Sequence, residues 1–457
     1  MKRITKLSLL KMFHFLVSVF GFVFLYFAFY RSHYASIVHL RGDILLCAIY
    51  TVIFVLYSRL FGAYEIAYAP LAENMISQSL TAAFSDFIIY LAISLFYAWM
   101  VNPIPMLQLL AVQIRWNGLW TTLASRFFYK LFPNRKTVFV YGADGETKLE
   151  RMVKTYAFQK GFSLEKRIKD PESIEQVMKE IEGFDIVVMA SVAADIRNAV
   201  IKYCSKADLT AVVFPTIEDV LFLGSRSIKT FNELMLGFQK PMPNREYLII
   251  KRAFDILVSF IFLVLLSPLF GVISLFIKKY DGGPVFYRQT RLTIGEKKFE
   301  MIKFRSMIVD AEKDGIARLT TQNDSRITPV GRVLRKLRLD ELPQLINILK
   351  GDMTFVGPRP ERPDIAARYE KQIPDFSLRL HVKAGLTGYA QVYGKYNTPP
   401  DEKLQMDLLY ITHMSIIEDL RILSLTAKVV FLSRSTEGLD EETEGIIPEK
   451  TLGNGVM

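Results

Sequence analysis

Four long apolar runs lie in the first third of this 457-residue chain, and they constrain its fold more than any other feature. They cover residues 13–30, 44–57, 80–101 and 104–128. Each approaches the roughly 20 residues that a helix needs to cross a bilayer. The fourth run contains Gln113, Arg115 and Asn117, so it could instead lie at the interface as an amphipathic helix. We predict a bundle of four transmembrane helices over residues 1–132.

Basic residues flank the apolar runs at both ends. Lys2, Arg3, Lys6 and Lys11 precede the first run, and Arg126, Lys130, Arg135 and Lys136 follow the last. The positive-inside rule therefore places both ends of the bundle in the cytoplasm, in agreement with an even number of spans. The first run is longer than the core of a signal peptide and no persuasive cleavage site follows it, so we expect it to remain as an anchor.

Alternating strand and helix patterns follow over residues 137–225. Strands are predicted at residues 137–141, 185–190 and 209–214, with helices between them, as in a small parallel α/β domain. The turn after the first strand holds Gly142 and Gly145, two glycines where a dinucleotide fingerprint has three. A tight strand-to-helix turn explains these glycines better than phosphate binding does. Residues 226–250 are predicted to be a linker.

A separate apolar segment, residues 253–278, is interrupted near its middle by Ser267 and Pro268. Proline removes a backbone hydrogen bond and kinks a helix. Pairs of basic residues stand before and after the segment: Lys251, Arg252, Lys278 and Lys279. The charge rule asks for both ends on the cytoplasmic side, so we predict a helix that enters the membrane, bends and returns. A kinked helix that spans the membrane is the alternative, because membrane helices tolerate proline.

Two adjacent carboxylates, Asp340 and Glu341, follow a basic run that has the pattern of a helix. An Asp near a helix start that is followed within a few residues by proline is often an ordinary N-cap. The basic run changes that interpretation, because a carboxylate held near arginines stays ionised at neutral pH and is available as a nucleophile. Glu341, one residue on, points elsewhere and could bind a divalent cation.

Clustered cations around this dyad indicate phosphate chemistry, because the planar fork of arginine matches phosphate oxygens. The candidate phosphate-binding residues are Arg288, Arg291, Lys303, Arg305, Arg338, Arg359 and Arg362. The net charge of +11 would also suit nucleic acid, but no recognition motif or stacking platform accompanies it, so we expect no nucleic-acid partner. Two cysteines, Cys47 and Cys204, exclude a disulfide framework and a cysteine-type zinc site.

The end of the chain carries two further patterns. Apolar residues recur at helical spacing at Ile416, Ile417, Leu420 and Leu423, which fits either burial in a core or contact with a membrane surface. Residues 434–457 form an acidic tail that we expect to be mobile.

The motifs of residues 251–433 occur in an order that resembles the bacterial sugar transferase family, the monotopic polyprenyl-phosphate glycosyl-1-phosphate transferases. The matching segments are Lys251-Arg-x-Phe-Asp255, Ser267-Pro268, Gly283-Pro-Val-Phe-Tyr-Arg-Gln289, Lys303-Phe-Arg-Ser-Met307, Asp310-Ala-Glu312, Leu339-Asp-Glu-Leu-Pro-Gln344, Gly351-Asp-Met353 and Val356-Gly-Pro-Arg-Pro-Glu361. The whole chain is similar to the large members of the family, which resemble undecaprenyl-phosphate galactose or glucose phosphotransferases. The resemblance implies a membrane α/β protein: an N-terminal helix bundle, a Rossmann-like domain similar to CoA-binding domains, and a C-terminal α/β catalytic domain with a re-entrant helix broken at proline.

The resemblance also implies a reaction. Asp340 would attack the β-phosphorus of a UDP-hexose, with galactose or glucose as the expected sugar, and release UMP. Undecaprenyl phosphate would then take the sugar phosphate from the aspartate, as the first step of exopolysaccharide, capsule or O-antigen synthesis. Glu341 would hold Mg²⁺ or Mn²⁺, and Arg359 would bind a phosphate.

Further expectations follow from the same resemblance. The catalytic domain would lie on the cytoplasmic face of the bacterial cytoplasmic membrane, in contact with lipid. The partners would include a second copy of the chain and other enzymes of polysaccharide assembly. The competing hypothesis is a membrane-anchored regulatory protein that binds a nucleotide through its Rossmann-like domain, or a scaffold for polysaccharide assembly.

One stretch departs from the family pattern. Where the family usually has Lys-Pro-Gly-x-Thr-Gly-Trp-x-Gln-Val, this chain reads Lys383-Ala-Gly-Leu-Thr-Gly-Tyr-Ala-Gln-Val392. The resemblance links this stretch to recognition of the donor, through Lys383, Thr387 and Gln391. The departure puts the identity of the donor in question more than the reaction.

Overall fold

The computed structural model describes most of the chain. The described residues are 2–27, 31, 40–65, 69–96, 101–132, 134–155, 158, 161–207, 209–230, 233–237, 243–309, 311, 324–394 and 398–431. The predicted acidic tail at 434–457 lies outside them, as do Asp310 and Glu312 of one family motif. The chain forms two compact units, Met1–Pro215 and Thr216–Met457.

The first unit begins with long helices. These are α1 (Lys2–Leu25), α2 (Leu40–Leu60), α3 (Leu71–Phe96) and α4 (Ile104–Leu131). In the described part of the chain, α1, α2 and α3 are each long and apolar enough to cross a membrane. These three helices are consistent with three of the predicted spans, whereas α4 does not meet the same criterion and its span stays a prediction.

The polar residues of α4 explain why its average hydropathy is low. Gln113 donates a hydrogen bond to Asp86 of α3 at 3.2 Å, and Thr121 donates to Gln78 of α3 at 2.8 Å. All four side chains are buried, while apolar residues of α4 such as Leu119 are exposed. Polar groups inside and apolar groups outside are the arrangement by which helices associate in lipid.

A parallel sheet completes the first unit, as predicted. Its strand order, which the sequence did not predict, is β2-β1-β3-β4. Its strands are β1 (Arg135–Tyr141), β2 (Phe162–Lys169), β3 (Ile186–Ala190) and β4 (Thr210–Val213), and its helices include α5 (Gly145–Val153), α6 (Ile174–Glu180) and α7 (Ala194–Lys206). The sequence analysis missed β2. This strand lies at an edge of the sheet and only Ile168 is fully buried, so it lacks the apolar run that marks a central strand.

The second unit begins earlier than the sequence indicated. Helix α8 (Ile217–Leu223), assigned above to the Rossmann-like domain, contributes Val220 to the core of this unit. The predicted linker contains an antiparallel hairpin of β5 (Arg226–Thr230) and β6 (Glu233–Gly237). Neither strand has the apolar alternation that would have revealed it.

The remaining elements of the second unit surround one main apolar core. They are α9 (Arg245–Leu265), α10 (Ser267–Asp281), β7 (Phe286–Leu292), β8 (Lys298–Phe304), α11 (Pro329–Lys336), α12 (Gln344–Lys350), β9 (Thr354–Val356), α13 (Pro363–Gln372), β10 (Gly385–Thr387), α14 (Tyr389–Val392), α15 (Pro400–Thr412) and α16 (Ile416–Phe431). Strands β7 and β8 pair antiparallel, and β9 and β10 pair parallel. Ile348, Leu404 and Ile422 are fully buried in the core.

The apolar residues of helix α16 fall into a buried group and an exposed group. Ile422 and Leu425 pack inside, whereas Ile416, Ile417 and Leu420 near its start are exposed. The buried pair satisfies the core interpretation, and contact of the exposed residues with a membrane surface stays open.

Helices α9 and α10 form a bent pair, with an angle of 61° at the break between them. Pro268 is near the start of α10, and the hydroxyl of Ser267 donates to the carbonyl of Val264 at 2.8 Å. The predicted kink therefore lies where the proline interrupts the backbone hydrogen bonds.

Both ends of the bent pair are bonded to the rest of the second unit. The guanidinium of Arg252 donates to the carbonyls of Ile348 and Leu349 at 2.7 and 2.8 Å, at the end of α12. At the far end of α10, the carboxylate of Asp281 accepts hydrogen bonds from both terminal nitrogens of Arg305. Both ends of the pair are therefore held by the same unit.

Candidate active site

The dyad lies on a short 3₁₀ turn, Leu339–Glu341, directly after α11. Arg338, between helix and turn, has a φ of 54°, in the left-handed region. That conformation costs an L-residue about 1–2 kcal/mol. Arg338 ends α11 sharply, so the two carboxylates leave the helical direction and meet β8.

Glu341 is held by cations from three separate segments. Its Oε1 accepts from Lys303 of β8 at 3.2 Å and from Arg359 at 2.9 Å, and its Oε2 lies 3.8 Å from Arg338. The side chain is only 13% exposed. Burial by itself would raise the pKa of this carboxyl, but the charges of Arg359, Lys303 and Arg338 outweigh burial and hold the pKa well below its usual range.

Asp340 has a different environment one residue away. Its carboxylate makes no hydrogen bond or ion pair with any residue that the structure describes. Burial raises its pKa, the charge of Glu341 raises it further, and the nearby cations offset this only in part. The charges of Lys303, Arg335 and Arg359 lower this pKa but do not outweigh the two opposing effects, so Asp340 is the more basic member of the dyad. Its ionisation at neutral pH stays a prediction.

Arg359 joins the dyad to a loop after β9. Its side chain is 42% exposed although it donates to Glu341, so part of the guanidinium remains accessible. A cavity of about 10 Å³ lies beside it, roughly the room for one water molecule. It is lined by Arg291, Met301, Gln344, Arg359, Pro360 and Gly385.

The other predicted phosphate ligands do not all reach this cluster. Arg288 lies opposite Ile302, whereas Lys303 lies opposite Tyr287. Because successive side chains of a strand alternate between faces, Arg288 is on the face of the hairpin away from Lys303. The sequence could not show this, because it did not reveal the register of the two strands.

Three more predicted ligands have partners elsewhere. Arg305 forms the ion pair with Asp281 and no described contact joins it to the dyad. Arg291 donates to the carbonyl of Pro360 at 3.1 Å and so supports the loop that carries Arg359. Arg362 precedes α13 and lies 3.4 Å from Asp364.

The three predicted donor-recognition residues have different environments. Thr387 is buried and hydrogen-bonded to Thr426 of α16 at 2.7 Å, which is a packing contact. Lys383 lies near Arg252, and burial, followed by the charge of that arginine, lowers its pKa. Both amide atoms of Gln391 are buried and have no hydrogen-bond partner among the described residues. Buried amide groups normally have partners, so Gln391 is the best candidate of the three for contact with a ligand.

Comparison with known proteins adds independent evidence. The profile of the family described as bacterial sugar transferase matches residues 246–433. The "Uncharacterized sugar transferase EpsL" of Bacillus subtilis is 37% identical over 209 residues, which are 46% of this chain and 98% of that protein. The chain belongs to the bacterial sugar transferase family.

Other relatives of the family carry more specific names. The "UDP-N-acetylgalactosamine-undecaprenyl-phosphate N-acetylgalactosaminephosphotransferase" of Aeromonas hydrophila is 37% identical over 230 residues, covering 50% of this chain and 53% of the relative. The "UDP-glucose:undecaprenyl-phosphate glucose-1-phosphate transferase" of Escherichia coli is 41% identical over 192 residues, 41% of each chain. The chain thus aligns with about half the length of these two relatives or less.

The structure gives physical roles to family motifs that sequence reasoning had treated only as markers. Lys251, counted above as a charge that flanks a membrane segment, pairs with Asp419 of α16 at 2.5 Å. Asp419 also accepts from Tyr410 at 2.7 Å and from Tyr247 at 2.8 Å. These contacts fasten α9 to the domain, and no local pattern reveals them because the partners lie more than 150 positions apart.

A magnesium ion at the dyad would need further ligands besides protein carboxylates. In the described part of the chain, no group of three or more His, Cys, Asp or Glu side chains forms a metal site. Magnesium often uses only one or two carboxylates and takes its remaining ligands from water and substrate phosphates. Asp340 and the Oε2 atom of Glu341, whose described partner lies at 3.8 Å, are the carboxylate oxygens that would be available to such an ion.

Proposed function

We propose that this protein transfers a sugar-1-phosphate from a UDP-sugar to undecaprenyl phosphate, as a membrane-bound phosphoglycosyltransferase. The observation that carries the proposal is the contrast within the dyad. Glu341 is tied to three cations, whereas the adjacent Asp340 has no described partner and a raised pKa. The names of family relatives, which specify undecaprenyl phosphate and a sugar, support the same reaction.

In the first step, an oxygen of ionised Asp340 attacks the β-phosphorus of the donor. A bond forms between that oxygen and phosphorus, the bond from phosphorus to the bridging oxygen breaks, and UMP leaves with the electron pair. A more basic carboxylate is the better nucleophile once it is ionised, which suits the raised pKa of Asp340. Lys303 and Arg359, which lie within 3.2 Å of Glu341 beside the nucleophile, would offset the charge of the donor phosphates.

In the second step, the phosphate oxygen of undecaprenyl phosphate attacks the same phosphorus. The bond to Asp340 breaks, the carboxylate is restored, and undecaprenyl diphosphate sugar leaves. Each step displaces a single group at one phosphorus, so one carboxylate can serve a soluble donor and then a lipid acceptor in turn.

We further propose that Glu341, together with Asp340, holds Mg²⁺ or Mn²⁺ when the donor is bound. The metal would supply positive charge at the diphosphate, as in other phosphoryl transfers.

The bent pair α9–α10 supports a re-entrant position in the membrane. Helix α9 has 21 residues and is therefore about 31 Å long. Its apolar residues Leu257 and Leu265 and Leu275 of α10 are exposed in the structure. Because both ends of the pair are bonded to one unit, a pair that enters and leaves on the same face needs no rearrangement. We place that face in the cytoplasm, where UDP-sugars are available.

The proposal for the donor sugar is less specific than the proposal for the reaction. We propose galactose or glucose as the sugar, and the name of one relative adds N-acetylgalactosamine as a third candidate. The product would begin an exopolysaccharide, capsule or O-antigen chain, and a homodimer or contact with other assembly enzymes belongs to the same proposal.

The test is UMP release by the purified full chain with UDP-sugar and Mg²⁺ but without lipid. A covalent transferase releases a burst of about one UMP per active site. Asp340→Asn should abolish the burst, and Asp364→Asn, which alters a half-exposed acid outside the dyad, should retain it. A full burst from Asp340→Asn would refute the nucleophile, and no burst from the wild type with any UDP-sugar would favour the scaffold or regulatory hypothesis.

A further inference from the structure

A buried ion pair lies directly behind the loop that carries Arg359. Arg379, in the 3₁₀ turn Phe376–His381, places one terminal nitrogen 2.6 Å from Oδ2 of Asp407 on α15. Their side chains are 5% and 1% exposed. Taking two charges out of water is costly unless they make further bonds, so such a pair calls for a structural reason.

The second set of contacts made by Arg379 supplies that reason. The same terminal nitrogen donates to the main-chain carbonyl of Arg359 at 2.9 Å, and the other lies 3.6 Å from the carboxylate of Glu361. The guanidinium thus bridges α15 to two residues of the loop. A lysine could not do this, because its ammonium has no planar fork.

The sequence of the loop makes these carbonyl contacts important. Arg359 lies between Pro358 and Pro360, which have no backbone N–H, so the loop is held mainly through its carbonyls. Four consecutive carbonyls, those of Pro358, Arg359, Pro360 and Glu361, accept from Gly385 N, Arg379, Arg291 and Leu292 N at 2.8 to 3.1 Å. Two of the four donors are arginine side chains.

We propose that Arg379 and Asp407 are positioning residues that fix the backbone of Arg359, so that its guanidinium is presented to the diphosphate of the nucleotide donor. This inference rests on the proposed function for the identity of the ligand. Arg379 and Asp407 do not touch the donor; they act through Arg359. Arg291 holds the next carbonyl in the same way, which gives a role to a residue that the sequence had suggested as a phosphate ligand.

The protonation state of Asp407 gives the arrangement a measurable signature. Burial raises the pKa of Asp407 to about 6, with Arg379 and Lys403 lowering it and Glu361 raising it. Above pH 6 the carboxylate is charged and holds Arg379. Below pH 6 the carboxylate is neutral and its ion pair with Arg379 weakens. The backbone of Arg359 is then held less firmly in place.

The experiment measures the affinity of the detergent-solubilised full chain for UDP, by calorimetry, and the KM and kcat for UMP release with undecaprenyl phosphate as acceptor. The variants are Asp407→Asn, which keeps the shape and removes the charge, and Arg379→Lys, which keeps the charge and removes the fork. Asp324→Asn is the matched control, because its ion pair with Arg326 is also 2.6 Å long and has no described contact with the loop. Thermal unfolding reports whether each variant is folded.

Asp407→Asn and Arg379→Lys should each bind UDP about tenfold more weakly and show a correspondingly higher KM. Each exchange weakens the charged hydrogen bond that orders the backbone of Arg359. The control should match the wild type. The affinity of the wild type should fall as pH drops through 6, whereas Asp407→Asn should be weak at every pH. If Asp407→Asn does not fold, Arg379→Lys decides, because it leaves no uncompensated buried charge.

Wild-type affinity and wild-type pH dependence in folded Arg379→Lys or Asp407→Asn would overturn the proposal. A wild type that binds UDP with the predicted variant effects but releases no UMP from any UDP-sugar would refute the proposed function and leave the positioning role in place. A wild type that neither binds UDP nor releases UMP would refute both.

Discussion

The two regions that the sequence singles out for phosphate binding differ in the charge around them. The glycine turn after β1 contains Asp144 and is followed by Glu146, which lies 3.7 Å from Lys169. The dyad in the second unit, by contrast, is surrounded by Lys303 and Arg359. The cations at the dyad favour a diphosphate, whereas the carboxylates at the glycine turn oppose its binding there.

The glycines of the first region also have a packing explanation. A Cβ on Gly145 would lie 2.9 Å from the carbonyl of Ala190, so the helix can approach β3 this closely only with glycine there. A motif made of glycines reports close backbone packing as readily as ligand binding. Charge geometry separates the two cases where the glycine pattern does not.

The first prediction makes the same exchange in both regions, at the proposed nucleophile Asp340 and at an acid of the first unit. Asp340→Asn should lower UMP release by about 1,000-fold or more, because the amide cannot form the covalent intermediate. Asp170→Asn, the same exchange at an exposed acid after β2, should leave UMP release unchanged. Loss of activity in Asp170→Asn would move the chemistry to the first unit.

The second prediction concerns the guanidinium at the dyad. Arg359→Lys should lower kcat/KM for the donor by about 100-fold, because lysine cannot contact Glu341 and a phosphate in the same plane. The matched exchange Arg288→Lys, on the other face of the β7–β8 hairpin, should have little effect. Equal losses in the two variants would contradict the assignment of faces.

The third prediction tests how the bent helix pair is attached. Arg252→Lys should lower the stability of the second unit by about 1–2 kcal/mol, because it loses the paired bonds to the carbonyls of Ile348 and Leu349. Activity should fall only a few-fold under conditions where the variant is folded. Thermal unfolding measures the effect, and Arg421→Lys, an exposed arginine with a weak contact at 4.0 Å, is the control. A stable Arg252→Lys would show that the anchor lies elsewhere.

The smallest expected effect on activity is in the first unit. Gly145→Ala should destabilise that unit through the clash with Ala190 and should leave the UMP burst per folded molecule unchanged. Gly161→Ala, where a Cβ would meet nothing within 4 Å, is the control. A Gly145→Ala variant that is stable but inactive would give the first region a role in catalysis.

Sequence reasoning succeeded where the signal was local. Apolar runs located three long apolar helices, and Pro268 located the bend between α9 and α10. It failed where a role depends on a distant partner. The weakly buried strand β2 escaped detection, and the supply of arginines alone did not show which of them face the dyad.

Two residues illustrate the limit. Arg305 and Arg359 look alike in sequence, each in a basic motif, yet the first forms an ion pair with Asp281 and the second with Glu341. Arg379 and Asp407 carried no local signal at all, because their importance lies in contacts between a turn, a helix and a loop that meet only in the folded chain.

The most direct test of the account is mass spectrometry of the peptide that contains Asp340, after the full chain has been mixed with a UDP-sugar and Mg²⁺ without lipid and quenched in acid. The account predicts a sugar-phosphoryl adduct on Asp340 that disappears when undecaprenyl phosphate is added before quenching. An adduct on another residue, or lipid-dependent transfer in which no adduct forms and Asp340→Asn remains active, would contradict it.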